Sequence, residues 1–504
     1  MPKSKKDCFV LELKLMVDSW QKDILLKRFE IARKLYNKTL SYALKQYTLM
    51  KESKRYRKQL RLYQNTIKAI KANNQKELKQ HTKELDGIRQ SFGLSEYQLH
   101  TYIKKHQHNY KKHIDSHASQ KIVSTVWKAV QEIVFKGNKA HFKRYGMLHS
   151  VEGKSNKAGI RFKENTVYWN GLALPVRIRK QDLFVEESLA LHTVKYCRIV
   201  KKIIRGKHTF YVQLVMDGIP PAKRISSTGA FRHQYQKQKR IGIDIGPSII
   251  AIVSEETVCL QQLAPNVPIF EKQKRRLLRK LDRSRRSTNP DNFRSDSTLK
   301  RGIQLHWTYS KNYQKKLYQL KELYRKKVSY IKEQHGSLAN VILSLGDEVY
   351  IETMHFKGLA KRTKETKTNK QGKFLSKKRF GTSIGNHAPA MLVEIINKKL
   401  GYTKQTVHKV NTITFRASQY NHIENSYEKK KLHQRWSQIG NHLVQRDLYS
   451  AFLLMNSDVD LQQTNRELCN KTFATFLRLH NQHIEELRQI KKTIPLSMGI
   501  KQIM

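Results

Sequence analysis

Ile241-Gly242-Ile243-Asp244-Ile245-Gly246, followed by Pro247-Ser248-Ile249-Ile250-Ala251-Ile252-Val253, is the stretch that decides the fold. Successive side chains of a strand point to opposite faces. Ile241, Ile243 and Ile245 therefore share one face, and Gly242, Asp244 and Gly246 share the other. The apolar run after the turn reads as the return strand of a β-hairpin. A carboxylate between two glycines leaves room for something large to approach, and metal-bound phosphate is one such thing. Alone the pattern has other readings: sugar kinases and actin-like ATPases open with a similar hairpin, and an Asp can simply end a strand beside a turn.

Two later carboxylates sharpen it. Val349-Tyr350-Ile351-Glu352 is a β-rich run ending in an acid, and Arg446-Asp447-Leu448-Tyr449-Ser450-Ala451-Phe452 places an acid near the start of an amphipathic helix. Each has a plain structural reading, since strand-end acids are common and Asp is a favoured helix cap. Together they form an ordered set: Asp, Glu, Asp at a strand centre, a strand end and a helix start. The separations are 108 residues (352 − 244) and 95 residues (447 − 352), so the fold itself must assemble the site. Two magnesium ions held about 3.5–4 Å apart need several hard oxygen ligands, one ion activating a water and the other stabilising a leaving 3′ oxygen. Asp244, Glu352 and Asp447 are the candidate catalytic and metal-holding residues, with Asp244 bridging.

The charge balance narrows the substrate. Of 504 residues, 99 are Lys or Arg against 40 Asp or Glu, a formal net charge of +59. A compact chain so charged repels itself unless a polyanion neutralises it, and nucleic acid is the expected polyanion. Apolar residues make up 38%, lean but sufficient for a core. No apolar run approaches the roughly 18 residues of a spanning helix, so no membrane partner is expected. The start, MPKSKKDCFVLELKL, lacks an apolar signal core. The expectation is a cytoplasmic, nucleoid-associated protein. Cys8, Cys197, Cys259 and Cys469 lie far apart with no CxxC pair, which argues against a disulfide framework and a cysteine-built zinc site.

Along the chain, residues 8–16 alternate as a half-buried strand, and residues 19 to about 136 are helical, with a last amphipathic helix expected over 119–144. Residues 147–220 read as short strands joined by turns. Residues 271–286 and 311–334 are expected as basic helices and 341–351 as a strand. Residues 361–380 are expected as a mobile loop. Helices follow at 388–400, near 447–456 and over 463–492. Gly153-Lys154-Ser155 lacks the earlier glycine of a phosphate-binding loop, because that position is Leu148. The histidines of 100–117 are read as a polar helix touching RNA or water rather than a metal cluster.

IGIDIGPSIIAIV, VYIETMHFKGLAKR and VQRDLYSAFLL resemble the three RuvC motifs of the TnpB family of transposon-encoded nucleases and of the related type V CRISPR effectors. Gly385-Asn386-His387-Ala388-Pro389 to Gly401, with Val407-His408-Lys409-Val410, is similar to the family's helix and strand before the last motif. EKQKRRLLRKLDRSRR resembles its arginine-rich helix, and FEIARKLYNKTLSYAL its first recognition-lobe helix. The resemblance is strong over about 238–456 and weak but ordered over 1–220. It implies an α+β multidomain chain: an RNase H-like (RuvC) nuclease domain, a β-barrel wedge domain and a helical recognition lobe inserted in the wedge. On that basis the wedge takes residues 1–18 and 146–225, the lobe 19–145 and a linker 226–238. The nuclease domain takes 239–415 and 446–504 around a target-binding insert at 416–445. The family usually carries a four-cysteine zinc ribbon in that insert. Here it holds His422, His433 and His442 but no cysteine, so no zinc is expected.

The activity implied is RNA-guided DNA cleavage with two magnesium ions, the partners being a guide RNA and target double-stranded DNA with a short flanking motif. In 271–286, nine of sixteen residues are basic: Lys272, Lys274, Arg275, Arg276, Arg279, Lys280, Arg283, Arg285 and Arg286. With Leu277, Leu278 and Leu281 as its packing stripe, this helix is the candidate phosphate-binding surface; such contacts carry affinity, not sequence. Guide pairing would read the sequence. Readers of the flanking motif are sought within 50–120. Three rival readings stand: a nuclease-silent RNA-guided repressor, a DDE-type transposase that shares the fold and metal chemistry but uses no guide, and a non-enzymatic RNA-binding protein, which explains the charge but not three placed carboxylates. The oligomeric state is left open.

Overall fold

The computed structural model describes residues 7–69, 75–362, 365–366, 368–369, 371–372, 374, 380–431, 433–490 and 494–501. Most of the basic stretch 363–379, expected to be a mobile loop, lies outside the described residues. The chain divides into two compact units, Met1–Ala230 and Phe231–Met504.

The first unit opens with β1 (Cys8–Leu15), whose alternate residues Phe9, Leu11, Leu13 and Leu15 are buried. Five helices follow: α1 (Ser19–Glu52), α2 (Lys54–Ala69), α3 (Gln75–Ser91), α4 (Glu96–His108) and α5 (Ser116–Lys136). The sheet then resumes as β2 (Ser150–Glu152), β3 (Arg161–Lys163), β4 (Thr166–Trp169) and β5 (Leu172–Arg177). Helix α6 (Leu183–Leu191) precedes β6 (Val194–Ile204) and β7 (Lys207–Asp217). The order is β2-β6-β7-β1-β5-β4-β3, so β1 sits between strands from the far side of the helical block. Its neighbours β5 and β7 both run antiparallel to it. Among the described residues no ladder pairing joins the two edge strands, β2 and β3, yet the sheet curls until its edges approach: a Cβ on Gly153, just after β2, would lie 3.2 Å from the Ile160 carbonyl oxygen, and the Asn156 side chain bonds the Phe162 N–H and carbonyl of β3.

Two side chains of helix α1 bond this sheet: Gln21 donates to the Ala173 carbonyl at 3.0 Å, and Arg28 reaches deeper. Arg28 is buried, and its guanidinium donates to the carbonyls of Trp169 and Asn170, both at 2.6 Å. The same group lies over the Trp169 ring, 4.8 Å from its centre, and the Trp169 indole donates to Asp115 at 3.0 Å. Burial lowers the Arg28 pKa to about 10, with Asp115 opposing the shift. Helix α5 is shorter than the sequence suggests. It stops at Lys136 because Gly137 turns the chain left-handed (φ 64°) and closes its last carbonyls.

The second unit is built on β8 (Arg240–Ile245), β9 (Ile249–Ser254) and β10 (Val258–Gln262). Helices α7 (Val267–Thr288) and α8 (Lys311–Leu345) lead to β11 (Glu348–Glu352). Helices α9 (Phe356–Leu359), α10 (Gly381–His387) and α11 (Pro389–Leu400) lead to β12 (His408–Val410). The sheet order is β10-β9-β8-β11-β12; the first three strands are antiparallel, and β11 and β12 run parallel to β8. Ile241, Ile243 and Ile245 pack with Ala339, Ile342, Leu392 and Ile396 of α8 and α11 on one face. After the short α12 (Thr412–Phe415) come two hairpins, β13 (Tyr420–Asn421) with β14 (Ser426–Tyr427) and β15 (Trp436–Ile439) with β16 (His442–Gln445). Helices α13 (Arg446–Met455) and α14 (Arg466–Gln489) pack on the opposite face, where Ala251, Val253 and Val410 meet Leu448, Ala451, Phe452 and Phe473.

One expected strand is partly helix. Val341 to Leu345 continues α8, burying Ala339, Ile342 and Leu343 at helical spacing while Val341 stays exposed. A short apolar run does not distinguish the two periods by itself. The break comes at Gly346, where any side chain would collide with the Lys239 carbonyl oxygen, 2.3 Å from the position of a Cβ. The strand begins two residues later.

Candidate functional site

Asp244 and Glu352 sit on adjacent parallel strands in step. Val349 faces Ile241 and Ile351 faces Ile243, so the same register sets Glu352 beside Asp244. Adjacent strands lie about 4.8 Å apart, and residues level in a parallel pair present their side chains to the same face. That is the face covered by α13. The helix lies directly on Gly242: a Cβ there would fall 1.8 Å from the Ala451 carbonyl oxygen and 2.4 Å from the Met455 nitrogen. Asp447 is one turn before Ala451, about 6 Å back along the axis, and Asp244 is two residues beyond Gly242, about 6.6 Å along the strand. The third acid is thereby carried over the first.

The charges register this meeting. The Asp244 carboxyl is held well above the ordinary range by burial, then by the negative charges of Asp447 and Glu352; Arg446 and Arg435 pull the other way. Its residue is nevertheless only half-buried, so a water-accessible face opens onto a crowded carboxylate. Burial also raises Glu352, against the backbone N–H of Ala417.

Asp447 is not the helix cap. Gln445 is, its side chain accepting from the Leu448 N–H at 2.8 Å, and Asp447 occupies the second helical position. Its Oδ2 meets Arg435 Nη1 at 3.5 Å and Gln445 Nε2 at 3.4 Å, and its Oδ1 meets Arg446 Nη2 at 3.2 Å. The sequence reading missed all three partners. The only local trace is the Gln-Arg-Asp run, which says nothing of where Arg435 falls. Among the described residues no three His, Cys, Asp or Glu side chains form a closed metal-binding cluster. The acids converge electrostatically while Asp447 is held by arginine.

The glycine reading needs correction at one position. The space at Gly242 admits helix α13, not a phosphate. Gly246 has only Ile249 within contact distance, at 3.4 Å.

Helix α7 divides its cations in two. Lys272, Arg275, Arg276, Arg279, Lys280 and Arg283 are exposed and make no ion pair among the described residues, whereas Lys274 pairs with Glu271 at 2.7 Å. Arg285 and Arg286 both pair with Asp282 at 2.8 Å and stack on Trp307 and Phe293 respectively. Those three are tied into the protein. Of the leucines, Leu281 is buried but Leu278 is 42% exposed, so the packing stripe is narrower than expected.

In the segment 416–445, His422 is fully buried and shares a hydrogen bond between its Nδ1 and the Tyr449 hydroxyl at 2.7 Å. His433 and His442 are exposed. The hairpins are held by packing: Trp436 donates to the Gly499 carbonyl at 2.7 Å, and the His422 ring meets Phe473 edge-on at 4.6 Å.

No family model matches this chain, and no curated protein matches it. Among solved structures, the chain is similar to the protein of a Cas12f1–sgRNA–target DNA complex at 11% identity, over 87% of this chain and 83% of that one, with a TM-score of 0.45. It is also similar to the protein of a CRISPR–Cas12f ternary complex at 11% identity, over 87% of this chain and 82% of that one, with a TM-score of 0.25.

Proposed function

We propose that this chain is an RNA-guided DNA endonuclease of the TnpB and type V kind. It binds a guide RNA, recognises a short flanking DNA motif and hydrolyses target DNA at a RuvC-like site built from Asp244, Glu352 and Asp447. The observation that carries the reading is that Asp244, in the middle of a five-stranded mixed sheet, feels the charges of both other acids at a partly open surface. Three acids drawn together, with burial disfavouring the charge of Asp244 and Glu352, fit a hard divalent cation by the kind of donor they offer. When bound, magnesium would supply an activated water and charge stabilisation at the leaving oxygen.

The chain's own residues do the positioning. Asp244 and Glu352 are fixed by strand register, and Asp447 by the seat of α13 on Gly242. Gln445, Arg435 and Arg446 set where the Asp447 carboxylate points. The exposed cations of α7 offer phosphate contacts that give affinity without sequence.

The rival reading of a guided binder that does not cut draws on one observation, the two arginines occupying Asp447. Guide dependence tests the main reading. RNA that co-purifies with the protein is sequenced, and the complex is offered matched and scrambled duplexes flanked by randomised sequence, with magnesium. Cutting of the matched duplex alone is expected. Tight matched binding without any cutting leaves the binder, and cutting regardless of match removes the guide.

A further inference from the structure

Unit Met1–Ala230 holds a pocket of about 730 Å³ where β1 leaves the sheet. Strand β1 pairs with β7 only from Cys8 to Lys14, the last pair being Lys14 with Tyr211, and it then turns into α1. Strand β7 begins four residues earlier, at Lys207, so residues 207–210 keep β6 on one side and lose β1 on the other. The gap is the pocket. Its walls carry Lys14, Lys22, Arg177, Lys207 and His208, with Phe210 among the apolar lining and Asp18 as the acid.

The charge arrangement is costly without a ligand. Lys14 and Arg177 are direct cross-strand partners on β1 and β5, and like charges directly opposite destabilise a sheet. Lys14, Lys22, Arg177 and Lys207 make no ion pair among the described residues, in a unit where other cations such as Lys202 and Arg198 do. His208 adds a buried Nδ1 with no hydrogen-bond partner. Burial, then Lys201 and Lys22, holds this imidazole below its usual range, so at neutral pH it offers a hydrogen bond rather than a charge. A second cavity of about 390 Å³ adjoins the same Lys14–Arg177 pair. The volume exceeds what a phosphate alone requires and lies in the range of pockets that enclose small organic ligands, roughly 300–1,000 Å³.

We propose that this pocket is a phosphomonoester site that seats the terminal phosphate of a nucleotide, with the base or sugar against the apolar lining. A monoester carries nearly two charges at neutral pH where a backbone diester carries one. Cations converging on one half-open pocket, rather than spaced along a groove, favour that second charge. The site goes beyond the nuclease reading, and its test is run without divalent cation, so its outcome does not depend on cutting.

The experiment measures binding of the full chain to a short oligoribonucleotide in three forms: 5′-phosphorylated, 3′-phosphorylated and with hydroxyls at both ends. The comparison cancels the binding that the net charge gives to any RNA. At least one phosphorylated form is expected to bind about tenfold more tightly than the hydroxyl form, as two or three charge-assisted hydrogen bonds allow. In the exposed, unpaired pair Arg177→Gln with Lys207→Gln the ratio falls to near one, while Lys139→Gln with Lys157→Gln, outside the pocket, keeps it. Competition by adenosine monophosphate marks a free nucleotide as a source of the phosphate, and its failure marks a strand end. Equal binding of all three oligonucleotides, or a preference that survives Arg177→Gln with Lys207→Gln, overturns the proposal.

Discussion

Gly242 and Ala451 meet backbone to backbone: the position of a Cβ on the glycine lies 1.8 Å from the carbonyl oxygen of the alanine. This contact seats α13 on the central strand and carries Asp447 over Asp244. Gly242→Ala should force the helix off the sheet, costing about 3–5 kcal/mol in denaturant unfolding, the range of the more disruptive core changes. Gly246→Ala, which meets only the Ile249 side chain and carbonyl oxygen, both at the ordinary contact distance of 3.4 Å, should stay within about 1 kcal/mol. Equal costs at the two glycines would mean that the helix seat is not special.

Asp244→Asn tests the electrostatics apart from cutting. The folded-state pKa of Asp244 is raised, so its carboxyl contributes its stability in the protonated form, below the ordinary Asp range, and loses it as pH rises through the raised value. Without divalent cation, wild type should therefore melt below the Asn variant at neutral pH, and the gap should close as pH falls towards the ordinary Asp range. Added magnesium should raise the melting temperature of wild type and leave the variant unchanged. A variant that melts below wild type throughout would contradict the buried repulsion.

His422 predicts acid sensitivity of the second unit. Burial and then Arg466 depress its pKa from 6.5 to about 4, so the folded form resists a proton that the unfolded chain accepts. Its contribution is complete above pH 6.5 and is lost as pH falls towards 4. Across that window the loss is about 3 kcal/mol for this one group. Burial lowers His335, His387 and His480 in the same sense. His422→Asn should cost stability at pH 7.5 by cutting the Tyr449 bond and flatten the slope below pH 6.5. An unchanged slope would assign the acid effect to the other histidines.

The two classes of cation on α7 should separate in binding and stability. Arg275→Gln, Arg276→Gln, Arg279→Gln and Lys280→Gln together should weaken RNA or DNA binding evenly across sequences. The log–log salt slope should fall by about 3, at roughly 0.7–0.9 per phosphate contact, without a change in melting. Arg285→Gln with Arg286→Gln should instead lower the melting temperature, because it removes the Asp282 pairs and the stacking on Trp307 and Phe293. A salt slope unmoved by the first set would remove α7 from the interface.

Period-2 alternation carried the first unit's β1, where one face is buried and the other is not, whereas the β8–β9 hairpin, buried on both faces, was legible as two short apolar runs about a turn. The same rule gave the wrong boundary at 341–345, where four apolar residues in five satisfy either period, and the end of α5 depended on the backbone angle of Gly137. The site was legible as three acids because Glu352 and Asp447 lie at element boundaries that patterning can find and Asp244 interrupts the apolar alternation of its strand. Their company was not. Arg435 comes from a hairpin whose position depends on tertiary packing, and the use of Gly242 as a helix seat rather than a phosphate berth shows only in three dimensions. The pocket at the end of β1 is likewise invisible in one dimension, since Lys14, Arg177 and Lys207 are brought together by strand pairing alone.

As proposed, cutting of guided DNA by the three acids requires a divalent cation. The most direct test of this is single-turnover cleavage of matched DNA by the RNA–protein complex, with magnesium or with chelator, beside Asp244→Asn. Cutting with magnesium only is expected, with a loss of at least about hundredfold in the variant and matched-DNA binding retained. Cutting in chelator, or an Asn variant that cuts as wild type does, would contradict it.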